Sequence, residues 1–123
     1  HDLIQRLQGR LAVFSGDDAT AWQLMLLGAR GNVSVTANVA PAIMSQMCSA
    51  ALQGDSAAAE ALNERVSVLH NILFCESNPI PVKWALADMG MIKTGIRLPL
   101  TVLADNCQGP VHQALIDSGM LGL

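Results

Sequence analysis

The loop Ser15-Gly16-Asp17-Asp18 carries the residues best placed for chemistry, because it directly follows a predicted strand. Parallel α/β folds bind their ligands at the carboxyl ends of the strands. In a functional interpretation, Gly16 lets the backbone approach a substrate and Asp17 projects over the pocket. In a structural one, Gly16 makes a tight turn and Asp18 caps the following helix. Both stay open. No metal site is predicted, because adjacent carboxylates diverge and hard cations need about six oxygen ligands.

The other candidate residues have ordinary structural explanations. Thr36 and Asn38 stand at the end of the second predicted strand, where turn chemistry accounts for them. His70 has no histidine or carboxylate four residues away, so we expect a packing histidine rather than a metal ligand. Lys83 follows a diproline turn and could form a Schiff base as a primary amine, although lysines are more typically solvated. No phosphate-binding loop or dinucleotide fingerprint is present, so no cofactor is predicted.

The composition argues against two classes of partner and indicates a larger folded unit. The 7 Lys and Arg are scattered among 10 Asp and Glu, and a net charge of −3 argues against a nucleic-acid partner. No apolar run reaches the roughly 18 residues of a membrane span. Hydrophobic residues make up 51% of the 123 positions and charged residues only 14%, against about 25% charged in a typical soluble domain. We therefore expect part of a larger protein, as the start without Met also indicates.

The three cysteines form no C-x-x-C pair and give no disulfide framework or zinc site. Their spacing predicts reduced, mostly buried thiols in a cytoplasmic protein. A catalytic thiolate would need a base nearby, and the sequence indicates none.

Residues 1–54 predict a strand–helix–strand unit preceded by a helix over residues 1–8. The strands are predicted at Leu11–Ser15 and Val33–Thr36, with a helix from Asp18 to Leu27 between them. This order implies parallel strands joined by a right-handed crossover.

The rest of the chain predicts helices. They extend from Pro41 to Gly54, from Ser56 to about Cys75 after an Asp55 cap, from Val82 to Asp88, and from about Gly109 to Ser118. Two parallel strands alone leave their edges unpaired and need helices on both faces. The sequence therefore predicts the end of a larger α/β fold, residues 1–54, followed by a C-terminal helical region, residues 55–123.

Three stretches of the sequence carry a resemblance to a known family. They are residues 15–20 (SGDDAT), residues 31–40 (GNVSVTANVA) and residues 78–85 (NPIPVKWA). In this order and spacing they resemble the C-terminal part of the dihydrodipicolinate synthases, also called 4-hydroxy-tetrahydrodipicolinate synthases. The Gly-Asp-Asp loop distinguishes them from the sialic acid lyases, which are similar in fold. The resemblance covers essentially the whole chain.

The resemblance implies the last two strands of a TIM (β/α)8 barrel and a C-terminal helical extension, usually in a homotetramer. Members of the family are lyases that condense pyruvate with aspartate semialdehyde in lysine and diaminopimelate biosynthesis. Their mechanism is that of a class I aldolase, with a Schiff-base lysine and a tyrosine–threonine–tyrosine proton relay. Those residues belong to positions that precede this chain, which contains no tyrosine, so no catalytic residue is expected in it.

The resemblance also implies roles for residues that are present. Val33 would turn its backbone carbonyl toward the Schiff-base lysine and bound pyruvate. Gly16 and Asp17 would lie beside the aldehyde site, with Asn78 at its edge. A subunit contact is implied for one set of residues on the first connecting helix: Gln23, Leu26 and Leu27.

The implied protein partner is the N-terminal half of the same protein. Two alternatives remain open. The chain could be a non-catalytic, truncated product that only associates through its apolar faces, or it could belong to another pyruvate-dependent lyase or aldolase of the same superfamily.

Overall fold

A computed structural model describes residues 2–7 and 9–122 of the chain. Helix α1 spans Asp2–Leu7, which confirms the predicted helix over its described part; positions 1 and 8 lie outside the described residues. Strands β1 (Phe14–Ser15) and β2 (Gly31–Asn32) pair in parallel, and helix α2 (Ala21–Leu26) connects them. The predicted strand–helix–strand unit is therefore confirmed.

The second strand lies earlier in the chain than predicted. A strand over Val33–Thr36 is wrong, because the last hydrogen bond between the second strand and β1 runs from Val33 N to Ser15 O at 2.9 Å. Beyond that bond the backbone leaves the sheet and enters a 3₁₀ helix over Thr36–Asn38. The β-branched residues that predict a strand therefore lie in the loop at the carboxyl end of β2.

The carboxylate of Asp18 explains why the chain turns there. It is only 4% exposed and accepts hydrogen bonds from Asn32 Nδ2 at 2.6 Å, Val35 N at 3.0 Å and Thr36 N at 2.9 Å. The prediction that Asp18 caps α2 is wrong, because the side chain faces the loop after β2 and Thr20 occupies the N-cap position. One side chain thus joins the ends of both strands.

The hydrogen bonds to Asp18 also determine its charge. Burial raises the pKa of the carboxyl, whereas hydrogen bonds from the Ser34 side chain, the Thr36 N–H and the Asn32 amide lower it. The hydrogen bonds prevail, so the pKa lies below the ordinary value of 3.8. Asp18 is therefore ionised at neutral pH.

The rest of the described chain is helical. The helices are α3 (Pro41–Leu52), α4 (Ser56–Ile72), α5 (Ile80–Asp88) and α6 (Asp105–Asp117). The predicted starts of α3 and α4 are confirmed, since Pro41 occupies the first turn and Asp55 Oδ1 accepts a hydrogen bond from Ala58 N at 3.0 Å. Helix α6 begins four residues before the predicted Gly109, with Pro110 inside it.

The buried core is shared by the helices. Helix α4 packs against α3, and α6 packs against α4 and α5. The largest fully buried apolar side chains come from α3, α4, the residue directly after α4, and α6: Met47, Val66, Leu69, Leu73, Val111 and Leu115. The boundary between residues 54 and 55 stays a prediction. Within the described residues, no helix is both long and apolar enough to cross a membrane.

We predict that Asp18→Ala lowers the free energy of unfolding at neutral pH by about 1–3 kcal/mol, because it leaves buried N–H donors without an acceptor. The folded pKa lies below the unfolded one, so the contribution of Asp18 is present above pH 3.8 and is lost as the pH falls further. The difference between the two proteins should therefore shrink below pH 3.8.

Urea unfolding of both proteins between pH 3 and pH 7 measures this difference. Glu60→Ala removes an exposed carboxylate on α4 and should change stability by no more than about 0.5 kcal/mol. A difference between wild type and Asp18→Ala that stays constant down to pH 3 would contradict the assignment.

Candidate functional site

An open cavity of about 500 Å³ lies at the carboxyl ends of β1 and β2. Its walls come from three parts of the chain: the loops after the two strands, the segment between α4 and α5, and α5 itself. Of the four predicted substrate-binding residues, Gly16, Val33 and Asn78 line this cavity. They are up to 62 positions apart in sequence (78 − 16), and the fold brings them to one site.

The loop after β1 forms one wall of the cavity. The Ser15 hydroxyl donates to Asp17 O at 3.0 Å and accepts from Asp17 N at 3.1 Å, which holds the loop in a tight turn. A Cβ added at Gly16 would meet no atom within 4 Å, so glycine leaves open space there. The space at Gly16 is available to a ligand.

The carboxylate of Asp17 is directed to helix α2. Its Oδ2 accepts hydrogen bonds from both the backbone N–H and the hydroxyl of Thr20. Asp17 is exposed and is not among the residues that line the cavity. The turn places its backbone, rather than its carboxylate, next to Gly16.

The loop after β2 forms the adjoining wall. Val33 is 74% exposed, and its N–H is bound to Ser15 O, which fixes where this loop leaves β2. The Ser34 hydroxyl accepts from Ala37 N at 2.8 Å, so the loop is also held from within. Asn38 lines the cavity as well, and its amide donates to Val35 O at 3.0 Å.

Lys83 is the residue that sequence reasoning underestimated. It lies in the second turn of α5, is half-buried and lines the cavity, whereas a solvated lysine was expected. The prolines before it mark the start of α5, but no signal in the sequence places that helix beside the strand ends. An ammonium group in this position attracts an anionic ligand such as a carboxylate.

His70 lies behind the loop after β2 and not in the cavity. It is 5% exposed, and its ring nitrogens contact Thr36 Oγ1 at 2.9 Å and Asn63 Oδ1 at 3.2 Å. Burial lowers the pKa of His70, more than the charges of Asp18 and Asp17 raise it. The predicted packing histidine is therefore confirmed.

Two of the cysteine thiols, those of Cys48 and Cys75, have a raised pKa. Burial and the nearby Asp18 charge raise the pKa of the Cys48 thiol. Burial and contact with the Cys107 thiol raise the pKa of Cys75 to about 11. The prediction of mostly buried thiols is wrong for Cys75, which is exposed in the turn after α4.

The described lining therefore combines apolar side chains with backbone groups, the Ser34 hydroxyl, two amides and Lys83. In residues 2–7 and 9–122, no three His, Cys, Asp or Glu side chains are grouped so that they could hold a metal ion. Such a lining can bind and orient a small anionic ligand.

Comparisons with known proteins agree with this geometry. The sequence model described as the dihydrodipicolinate synthetase family matches residues 1–117. The 4-hydroxy-tetrahydrodipicolinate synthase of Pseudomonas aeruginosa is 58% identical over 120 residues, which are 98% of this chain and 41% of that protein. The synthase of Marinobacter nauticus is 59% identical over the same shares.

Two crystal structures show the same likeness in three dimensions. The dihydrodipicolinate synthase of Acinetobacter baumannii, complexed with pyruvate, is 60% identical with a TM-score of 0.96, covering 98% of this chain and 41% of that one. The Aquifex aeolicus synthase is 35% identical with a TM-score of 0.91, covering 97% and 41%.

The chain spans about 41% of the length of these relatives. Its fold is the C-terminal part of a TIM (β/α)8 barrel followed by helices, as the resemblance implied. The matched residues include the strand-end loops and the Asn78 segment that line the cavity. The chain belongs to the dihydrodipicolinate synthetase family.

Proposed function

We propose that this chain is the C-terminal part of a 4-hydroxy-tetrahydrodipicolinate synthase. This lyase condenses pyruvate with aspartate semialdehyde on the way to lysine and diaminopimelate. The observation that carries the proposal is the 500 Å³ cavity at the strand ends, lined by Gly16, Val33 and Asn78 in a chain 58% identical to such an enzyme.

In this proposal the chain binds and orients the substrates and does not perform the covalent step. The Schiff-base lysine and the tyrosine–threonine–tyrosine relay come from an N-terminal segment that precedes these residues in the complete barrel. That segment is the proposed partner, and the assembly is a cytoplasmic homotetramer that needs no cofactor. No residue of this chain is assigned a catalytic role.

Each lining residue then has a role that its chemistry allows. The Val33 carbonyl faces pyruvate, a backbone role that Val can fill as well as Ile. Gly16 leaves room for the aldehyde, Asp17 shapes the turn beside it, and Asn78 stands at the edge. The ammonium group of Lys83 favours the entry of both substrates, because each carries a carboxylate.

The two alternatives lead to different outcomes. A truncated, non-catalytic chain would associate with an N-terminal segment without forming a site for pyruvate. Another lyase of the superfamily would form the Schiff base and use a different aldehyde. The Gly-Asp-Asp loop favours the synthase over the sialic acid lyases.

Subunit contacts are proposed on helix α2 and the residue after it. Gln23 and Leu27 are exposed, with Leu27 at 46%, and Leu26 is partly exposed. One exposed and one partly exposed leucine beside a glutamine amide are suited to an interface with a second copy of the chain.

To test the function, we would pair the chain with the part of the Pseudomonas aeruginosa enzyme that precedes the matched residues. We expect the complex to make product from pyruvate and aspartate semialdehyde. Borohydride should trap one pyruvate on the added segment, measured by intact mass and peptide mapping. Lys93→Ala, as a control, should trap pyruvate at the unchanged rate. Lys83→Ala should carry the adduct on the same added segment but form it more slowly at low pyruvate concentration, because the cavity lacks the ammonium group.

An adduct on Lys83 or Lys93 would contradict the assignment of the Schiff base to the missing segment. A complex that forms without trapping pyruvate would support the non-catalytic alternative. Trapping without turnover of aspartate semialdehyde would support another aldehyde substrate.

A second prediction separates backbone from side-chain roles in the same complex. Val33→Ile should leave the KM for pyruvate within about twofold, because the carbonyl does not change. Gly16→Val should raise the KM for aspartate semialdehyde about tenfold, because its side chain fills open space in the cavity. That factor corresponds to about 1.4 kcal/mol of lost binding. Steady-state kinetics measure both KM values for each variant. If Val33→Ile and Gly16→Val change them equally, these roles are refuted.

A third prediction concerns assembly. Leu27→Asp should shift the complex to smaller species, because a carboxylate is costly to bury in an apolar contact. Sedimentation velocity measures the distribution. Leu52→Asp changes a similarly exposed leucine at the end of α3 and should leave the distribution unchanged. The interface is elsewhere if both variants behave alike.

A further inference from the structure

A buried polar chain connects the cavity loop to helix α4. Thr36 is fully buried, and its hydroxyl lies 2.9 Å from His70 Nδ1. The other ring nitrogen, Nε2, lies 3.2 Å from Asn63 Oδ1. Asn63 and His70 belong to the same helix, α4. Asn63 and His70 are both buried, in a helix whose other buried residues are apolar. Nothing in the proposed roles above uses these three side chains.

The contacts define how the histidine is protonated. Asn63 Oδ1 can only accept, so Nε2 carries the ring proton and donates. Nδ1 of the neutral ring is then an acceptor, and the Thr36 hydroxyl donates to it. The Thr36 side chain is therefore held at His70, and its hydroxyl also helps to lower the pKa of Asp18.

Thr36 is the point at which this chain of contacts reaches the cavity loop. Its backbone N–H is bound to Asp18 Oδ2 and its side chain to His70, so the residue is held from two directions. Three residues earlier, Val33 N is bound to Ser15 O. The short segment between these two anchors forms the wall of the cavity and includes the Val33 carbonyl.

We propose that His70 is a positioning residue for pyruvate binding. Through Thr36 it fixes the segment 33–36 and thereby the direction of the Val33 carbonyl. The inference rests on the proposed function, since it assigns pyruvate to that carbonyl. Burying three polar side chains costs more free energy than burying apolar ones of similar size. Their hydrogen bonds, unlike apolar contacts, give the Thr36 side chain a defined orientation.

The test uses two substitutions at one position. Thr36→Val has nearly the same shape and lacks the hydroxyl, whereas Thr36→Ser keeps the hydroxyl; both retain the N–H to Asp18. In the complex with the N-terminal segment, we expect Thr36→Val to raise the KM for pyruvate five- to tenfold. Thr36→Ser should stay within about twofold, and neither should change the KM for aspartate semialdehyde.

A role in packing alone gives a different pattern. Thr36→Ser, which loses a buried methyl group, would then lower the melting temperature at least as much as Thr36→Val, and the two KM values for pyruvate would be equal. Equal KM values overturn the proposal. If Thr36→Val does not fold, Asn63→Leu against Asn63→Asp repeats the comparison, because only aspartate keeps the acceptor for Nε2.

A second measurement does not depend on activity. In the ¹⁵N-labelled chain, with or without the added segment, the His70 nitrogen shifts should show a neutral ring with its proton on Nε2. The Val33 and Val35 amides should exchange with solvent at least tenfold faster in Thr36→Val than in Thr36→Ser. A ring protonated on Nδ1, or equal exchange in both variants, overturns the positioning role even if the unchanged complex proves inactive. An inactive complex in which the exchange difference is present refutes only the proposed function.

Discussion

The hydrogen bonds of the Asp18 carboxylate are the interaction on which the site depends. They connect the turn after β1 to the loop after β2 across two strands that are only two residues long each. Such a short ladder supplies few backbone bonds of its own. A buried, ionised acceptor with three N–H donors is stronger than neutral hydrogen bonds, and it holds the two loops in one relative position. The cavity exists because those loops cannot separate.

Three side chains outside the cavity hold the loops that form its walls. Asp18 lies beneath the loop after β2, His70 lies behind it, and Ser15 closes the turn after β1. None of these side chains lines the cavity, and each fixes backbone that does. The lining itself combines apolar side chains with Gly16, the Ser34 hydroxyl, the amides of Asn38 and Asn78, and Lys83. In the proposed function, this division lets the chain orient substrates while the covalent chemistry takes place on the other segment.

The surface of the strand region is consistent with a larger barrel. Leu11, Phe14 and Val33 are each more than half exposed, although all three are apolar. One continuous buried core extends from α2 through the helices that follow it. The stability of the strand unit therefore depends on Asp18 and on packing against α3, while the helical region is supported by many apolar contacts. In the proposed complete enzyme, the preceding strands would cover the exposed apolar residues.

The sequence by itself determined the local features, because their causes lie within a few residues. Pro41 and Asp55 begin helices through their own backbone geometry and side chain, and the order strand–helix–strand implies parallel pairing. The resemblance of the three stretches also identified the family and the barrel, which the comparisons confirm.

By contrast, Asp18 resembled a helix cap, and Val33–Thr36 resembled a strand. Only the tertiary structure decided these cases, because the groups that bind Asp18 lie 14 to 18 positions away. The same holds for Lys83, whose place at the cavity depends on how α5 packs, and for Thr36 and His70, which are 34 positions apart. Local sequence propensity does not indicate a hydrogen-bond partner that lies tens of positions away. The role of a buried polar side chain depends on that partner, so only the tertiary structure defines it.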